Sequence, residues 1–362
     1  MDNSQTHFFA GLKVVELASV LAGPAAGRFF AELGADVIKL ENPRTGGDVT
    51  RSWKLPSEPA GQSVSAYYAS VNQGKKIQFA DLGTPEGQTT LHELLETADI
   101  LLVNFKPGDD LKFAVDYESL AARYPKLIYG HITGYGKDNE RTAFDLVLQA
   151  ETGFMSMNGT AESGPLKMPV ALIDILAAHQ LKEGLLVALL GRAQHGKGAY
   201  VHVSLFDAAV ASLANQASNW LMARHNPGLS GSLHPNIAPY GETFTCADGR
   251  FIVVACGNDR QFAGLCAAAN LQQLASASEY AINSERVKHR FELKKQFDSF
   301  FRQFPASEII RLLDKNQVPA AIISTVKEVF ESEKSAHLTG KQTIEDSETS
   351  AVLTVAFKIT KT

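Results

Sequence analysis

Short runs of branched apolar residues alternate with helical stretches through the first two hundred residues, and that alternation leaves few folds open. Lys13-Val-Val-Glu-Leu17 reads as a strand, followed by the small-residue loop Ala18 to Pro24 and a helix from about Ala25 to Leu33. Gly34 is a natural stop for that helix, because glycine adopts the left-handed conformation at no steric cost. Asp36-Val-Ile-Lys-Leu40 is then a second strand, ending at Glu41. Two strands joined through a helix of this length predict a parallel pair with a right-handed crossover. The pattern recurs. Thr84-Pro85 opens a helix to about Thr97, and the strand Asp99 to Val103 breaks into Asn104-Phe105-Lys106-Pro107-Gly108. A short helix from Tyr117 to Arg123 and a strand from Leu127 to Ile132 follow. The fold class is therefore α/β with a parallel sheet, and ligands are expected beyond the carboxyl ends of its strands.

Ile175 to Leu190 is the most apolar helix, hydrophobic around most of its circumference, and is expected to be buried and central. Gly196-Lys-Gly198 makes a tight turn into a strand from Tyr200 to Leu205, which feeds a long helix from about Asp207 to Ala223. The Gly/Pro/Asn-rich passage from Asn226 to Gly241 is the best boundary signal in the chain. Beyond it, Thr243 to Cys246 and Phe251 to Ala255 flank Asp248-Gly249, a hairpin signature. Helical stretches follow at Asp259 to Ala269 and Ser284 to Gln303, and the last forty or so residues are polar and carry no clear pattern. A chain of 362 residues exceeds what one core usually supports, so a smaller second domain is expected from about 225 to 320.

A formal net charge of −5 argues against a nucleic-acid partner, which calls for a basic surplus. The three cysteines, Cys246, Cys256 and Cys266, form neither an even disulfide set nor a CxxC pair, and fit a reducing cytosol. Met1 to Phe9 lacks the basic-then-apolar plan of a signal peptide, and no apolar run approaches the roughly 20 residues that cross a bilayer. A cytoplasmic protein without membrane attachment is the expectation.

Several chemistries lack their motifs. Glu41 ends the second strand where a ribose-binding acid would sit, yet G-x-G-x-x-G is absent; the loop reads Ala18-Ser-Val-Leu-Ala-Gly-Pro-Ala-Ala-Gly27. There is no P-loop, no G-x-S-x-G elbow and no H-E-x-x-H, since His92-Glu93 runs on into Leu, Leu and Glu. His179, His195 and His202 are spaced as packed or surface histidines, and the cysteines as small apolar fillers. That leaves Asp174, in Pro169-Val-Ala-Leu-Ile-Asp174-Ile-Leu, immediately before the central helix. Two readings stay open. Asp174 is an N-cap that accepts a hydrogen bond from the first turn, or a carboxylate kept ionised by the helix dipole and able to attack a thioester.

Along nearly the whole chain, from about residue 9 to 330, short runs of sequence resemble the class III CoA-transferases (CaiB/BaiF type). They include Gly11-Leu-Lys-Val-Val-Glu-Leu, Ala22-Gly-Pro, Leu33-Gly-Ala-Asp-Val-Ile-Lys-Leu-Glu41, Gly47-Asp48, Arg51 and Asn72-Gln-Gly-Lys-Lys76. Asn104-Phe-Lys-Pro-Gly108, Gly134-Tyr-Gly136, Asp145, Gln149-Ala150, Asp174, Ser204-Leu-Phe-Asp207 and His234-Pro-Asn-Ile-Ala-Pro-Tyr240 continue the match. The resemblance implies a Rossmann-like CoA-binding domain of 1–224 with about 321–362, a small α+β domain of 225–320, and an interlocked, ring-like homodimer. It implies Asp174 as a nucleophile that forms an acyl mixed anhydride, with acyl-CoA and carboxylates as substrates and no metal or redox cofactor. For coenzyme A it carries over Leu21, Ala22, Ala80, Asp81, Asn104, Phe105 and Lys106, with Lys112 where relatives place a basic residue for the phosphates, and Arg44 close to a further basic contact.

The racemase branch of the family uses a His–Asp pair; Phe144-Asp145 stands there in this chain, and phenylalanine takes no proton. Transfer is thus favoured over the alternatives, racemisation or a non-catalytic CoA-binding role. Asp145 remains a candidate second active-site carboxylate, or a turn or cap residue. Two departures bear on activity: Lys137-Asp-Asn-Glu-Arg141 replaces the family's Gly-Pro-containing loop, and the chain stops near Thr362 without the terminal helix of many relatives. Either implies a narrowed substrate range or a chain that keeps the fold without the activity.

Overall fold

The computed structural model describes residues 8–360. The expectation about the amino terminus falls mostly on residues 1–7, outside that range. Internal contacts divide the chain into two compact units: Met1–Phe154, Lys167–Ala217 and Glu333–Thr362 in the first, Met155–Leu166 and Ser218–Ser332 in the second.

In the first unit the alternation read in the sequence becomes six parallel strands. These are β1 (Lys13–Glu16), β2 (Asp36–Glu41), β3 (Lys76–Phe79), β4 (Ile100–Val103), β5 (Ile128–Thr133) and β6 (Ala199–Ser204), in the order β3-β2-β1-β4-β5-β6. Val14 lies opposite Val37 on one side and Ile100 on the other, so β1 is central and the strand order reverses there. Every residue of β4 is buried, as a strand covered on both faces requires. One face is covered by α1 (Ala22–Glu32) and α6 (Leu172–His195), through Phe29, Phe30, Leu181 and Leu185. The other carries α3 (Pro85–Leu95) and α4 (Tyr117–Arg123), through Leu91, Leu95 and Leu120. Thr84 caps α3 with Pro85 in its first turn, and Gly34, at φ +93°, follows the end of α1.

The central helix α6 departs from expectation. Ile173, Ala177, Leu181 and Leu185 form a fully buried stripe, but Val187 and Leu190 on the outer side are 69% and 67% exposed. Its apolar circumference therefore has an uncovered face in the single chain. Arg192 in its last turn donates to Asp99 O and Lys126 O, at the start of the strands. The first turn of α6 consequently lies at the opposite edge, beyond the strands' carboxyl ends. The single helix expected from 207 to 223 is two, α7 (Leu205–Ala211) and α8 (Ala214–Ala223), broken where Ala214 takes φ +48°.

The last residues of the first unit form a hairpin, β10 (Thr339–Ile344) with β11 (Ser347–Val352), against α2 (Ala66–Asn72). Glu345 at its tip pairs with Arg51, and Gln73 reaches Thr349. In the second unit β7 (Tyr240–Thr245), β8 (Phe251–Ala255) and β9 (Ala320–Ile322) are antiparallel, β7 and β8 joined through Asp248-Gly249. The helices α9 (Asp259–Ala268), α10 (Asn283–Lys288), α11 (Arg290–Gln303) and α12 (Ala306–Lys315) belong to this unit. Phe244 stacks on Phe301 with centroids 4.0 Å apart in its core. The helix expected from 284 to 303 is interrupted at His289, which separates α10 from α11. All three cysteines are free and buried, and burial pushes the Cys256 and Cys266 thiols up to about 12, which suits fillers rather than nucleophiles. Among the described residues no helix is long and apolar enough to cross a membrane.

Candidate active site

The loop leaving β1 is held in an unfavourable shape by charges buried beneath it. Val20 has φ +72°, a left-handed conformation that is strained for a β-branched side chain. Its N–H donates to Asp48 Oδ2 at 3.1 Å, and Asn104 brackets Ser19, accepting from its N–H at 3.0 Å and donating to its carbonyl at 2.9 Å. Below, Glu16 ends β1 fully buried between two ammonium groups. Lys75 Nζ lies 2.8 Å from both Glu16 oxygens and donates to Pro24 O at 2.8 Å. Lys39 Nζ lies 3.1 Å from Glu16 Oε1 and 3.1 Å from Asp48 Oδ2, and donates to Ala18 O at 2.5 Å. Burial pulls the Lys75 ammonium down to about 7 against the pull of Glu16, whereas Lys39 is held above its ordinary value by Glu16 and Asp48 although burial opposes it. Gly27 makes room: a Cβ there would fall 1.8 Å from Glu16 Oε2.

Beyond the carboxyl ends of β1 and β2 opens a cavity of about 540 Å³ lined by Leu17, Ser19, Thr45, Gly46, Asp48 and Val49 among others. This is the place a doubly wound sheet reserves for a ligand. Glu41 lines it but is fully occupied: it accepts from Tyr68 Oη at 2.7 Å, Arg51 Nε at 2.7 Å and Asp48 N at 3.2 Å. It is a structural acid, not a ribose ligand.

The residues carried over for coenzyme A sit along this same edge. Leu21 precedes α1 and Ala22 opens it; Ala80 follows β3, its N–H bonded to Glu41 O. Arg44 Nε pairs with Asp81 Oδ2 at 2.5 Å while the arginine side chain stays 72% exposed. Past β4, Asn104 is engaged with Ser19, Phe105 packs on Phe113 at 5.6 Å, and Lys106 Nζ donates to Thr142 Oγ1 at 3.3 Å. The Lys112 ammonium lies 5.1 Å over the Phe113 ring.

Asp174 is not the N-cap of α6. It is the third residue of α6, and Ala171 is the residue at the cap position, with no side chain to accept. Burial pushes the Asp174 carboxyl up to about 7, with Asp145 pushing the same way. Desolvation outweighs the helix-end field because Asp174 is 8% exposed and its charged neighbour is an anion. Asp145 opens α5 (Asp145–Glu151), one residue after Phe144, which is 58% exposed. Sequence reasoning missed Tyr67. Burial and the charges of Asp174, Asp145 and Asp48 raise its hydroxyl to about 12, and its ring stands edge-on to Trp53 at 5.1 Å. The only sequence signal was an aromatic pair, Tyr67-Tyr68, in a short helix.

The altered loop is ordered rather than open. Arg141 pairs with Glu151 and lies 4.8 Å over the Tyr135 ring, while Tyr135 Oη donates to Glu151 Oε2 at 2.5 Å. Lys137 and Asp138 face a different cavity, of about 340 Å³, with Tyr117 and Tyr200. Among the described residues no three His, Cys, Asp or Glu side chains gather as metal ligands.

The chain matches CoA-transferase family III over residues 9–362, and it belongs to that family. It is an enzyme that transfers CoA, and CoA thioesters are the substrates of its class. It is 39% identical over 327 residues, 89% of this chain and 81% of the relative, to succinate–glutarate CoA-transferase of Agrobacterium fabrum. Human succinyl-CoA:glutarate CoA-transferase is 33% identical over 330 residues, 90% of this chain and 74% of the relative. A CaiB/BaiF family structure from Brucella suis superposes with TM-score 0.86 at 38% identity, covering 98% of this chain and 93% of that one.

Proposed function

We propose that this enzyme moves CoA from a succinyl-CoA-like donor to a short organic diacid through acylation of Asp174. The observation that carries the reading is a carboxyl 8% exposed, at the first turn of α6, with a proton affinity raised to about 7. A carboxylate of that basicity is a better nucleophile than an ordinary one while still half ionised near neutrality. Its oxygen attacks the thioester carbonyl carbon, the C–S bond breaks, and CoA leaves as thiolate, giving the aspartyl–acyl anhydride. The thiolate then attacks the aspartyl carbonyl, which releases the donor acid and leaves an aspartyl–CoA thioester. The acceptor carboxylate repeats the sequence in reverse, and Asp174 is regenerated as carboxylate. Each step exchanges one acyl bond for another, so no metal or redox partner enters. The relatives named for succinyl-CoA, glutarate and mesaconate support the substrate class.

For coenzyme A the reading places Leu21, Ala22, Ala80, Asp81, Asn104, Phe105 and Lys106 along the thioester, with Lys112 and Arg44 as point charges for its phosphates. Phe144 supports transfer over racemisation, since its exposed ring stands where a proton acceptor would be needed. The test is direct. With succinyl-CoA and hydroxylamine, mass spectrometry should find a hydroxamate at Asp174, and glutarate should serve as acceptor. No adduct, together with activity in Asp174→Ala, overturns the assignment.

The reading includes a homodimer in a reducing cytoplasm. Val187, Leu190, Phe206 and Val210 form exposed apolar surface on α6 and α7 that suits a second copy of the chain. If the two chains interlock, isotopically labelled and unlabelled dimers mixed under native conditions should form no mixed species over hours, and should do so after unfolding and refolding. Rapid native exchange refutes the interlock.

A further inference from the structure

Ala171 leaves the first turn of α6 without a cap from its own sequence, and the acceptor comes from another helix. Asp145 Oδ1 accepts from the backbone N–H of Ile173 at 2.7 Å, and its Oδ2 accepts from Gln149 Nε2 at 2.6 Å. Gln149, one turn further along α5 and fully buried, accepts from Met168 N at 2.8 Å through Oε1 and donates to Val170 O at 3.5 Å. Residues 155–166, with the short strand pair Gly159–Thr160 and Gly164–Pro165, cluster with the second unit, and the chain re-enters the first at Lys167. Two side chains an i, i+4 step apart on α5 thus hold 168, 170 and 173 just before Asp174.

We propose that Asp145 and Gln149 are positioning residues: they cap α6 from outside its own sequence and fix where the Asp174 carboxyl meets the thioester. The inference rests on the reading of Asp174 as the acylated group. Asp145 also acts through charge. The titratable groups facing Asp174 are Asp145 from α5 and Tyr67 from α2, with Asp48 reaching Tyr67 in turn. Asparagine at 145 keeps an oxygen for the Ile173 N–H but drops the anion and the acceptor for Gln149 Nε2; alanine removes all three. Loss of Gln149 frees the segment and leaves the anion in place.

The experiment compares wild type, Asp145→Asn, Asp145→Ala and Gln149→Ala as full-length enzyme, by steady-state kinetics with succinyl-CoA and glutarate from about pH 5 to about pH 9. Removing the neighbouring anion lowers the proton affinity of Asp174, so in Asp145→Asn the acid limb of kcat/KM moves to lower pH. In Asp145→Ala and Gln149→Ala, kcat falls about ten- to a hundredfold through misplacement of the nucleophile. The KM for the thioester stays within about threefold in all variants, because the CoA contacts lie elsewhere. Gln149→Ala leaves the acid limb where it was. An unmoved limb in Asp145→Asn overturns the charge role, and wild-type kcat in the two alanine variants overturns the positioning role. A lowered Tm with unchanged kcat and pH profile assigns the pair to stability alone and also overturns it. If Asp145→Ala fails to fold, Asp145→Asn and Gln149→Ala decide the matter. Hydroxamate trapping separates the failures: no adduct in wild type sinks the nucleophile, whereas an adduct with an unmoved profile sinks only the clamp.

Discussion

Asp174→Asn is expected to lose transfer by about a thousandfold or more and, at about pH 8, to be more stable than wild type. The first effect follows because an amide does not attack a thioester. The second follows from burial. The native carboxyl is raised from 3.8 to about 7, so the folded state holds its proton more tightly than the unfolded chain. Below about pH 4 both states are protonated and the group carries no penalty. Between about pH 4 and about pH 7 the unfolded chain releases its proton first, and the wild type loses stability progressively. Three units correspond to about 4 kcal/mol, which bounds the gain of the neutral variant. Urea titrations of both proteins at about pH 4.5 and about pH 8 check this. A gap that opens only at the higher pH is the expected result; equal stability at both sinks the claim that an unfavourable charge is stored there.

Glu16→Gln is expected to destabilise the first unit by about 3–5 kcal/mol, because it leaves a buried ammonium without its carboxylate. Lys39 keeps Asp48, but Lys75 loses the carboxylate that accepts from it and is left with neutral acceptors only: one amide oxygen at position 16, the Pro24 carbonyl and the Asn72 side chain. The loop from 18 to 24, pinned through Ala18 O and Pro24 O, should loosen as well, and the affinity for CoA should fall with it. Gly27→Ala should reach the same state by sterics, since its Cβ would displace Glu16 Oε2 from 1.8 Å away. Adding Lys75→Met to Glu16→Gln removes the orphaned charge and should recover most of the loss. A loss below about 1 kcal/mol for Glu16→Gln would mean that water already shares the site.

What was legible in the sequence depended on whether the cause was local. Strand–helix alternation, Thr84-Pro85 and Asp248-Gly249 are local, and the parallel sheet, α3 and the β7–β8 hairpin followed from them. The two broken helices were not legible, because Ala214 and His289 are not breakers by type; tertiary packing decides their conformation. The position of Asp174 near a helix start was visible, but its raised proton affinity depends on burial and on Asp145, which lies twenty-nine residues away. Asp145 itself stood open between a second active-site carboxylate and a turn or cap residue. It is a cap, of a helix it does not belong to, and no periodicity reports that. The polar tail carried no pattern because its partners are mixed: Arg51 and Gln73 meet its polar side chains, while Ile344 joins Val64 and Tyr68, and Phe357 meets Phe29.

That tail has a consequence for how the protein is made. Arg51 meets Glu345 across 294 residues of sequence. At roughly 5–20 residues per second of translation, the arginine waits on the order of fifteen seconds to a minute for its partner to leave the ribosome. Until then the surface of α2 that receives the hairpin is uncovered, with the Gln73 amide unpaired by Thr349. Closure of the first unit therefore waits for residues 339–352, although its six strands are complete by Ser204. A nascent chain stalled short of residue 339 is a natural client for chaperones that read an unfinished surface.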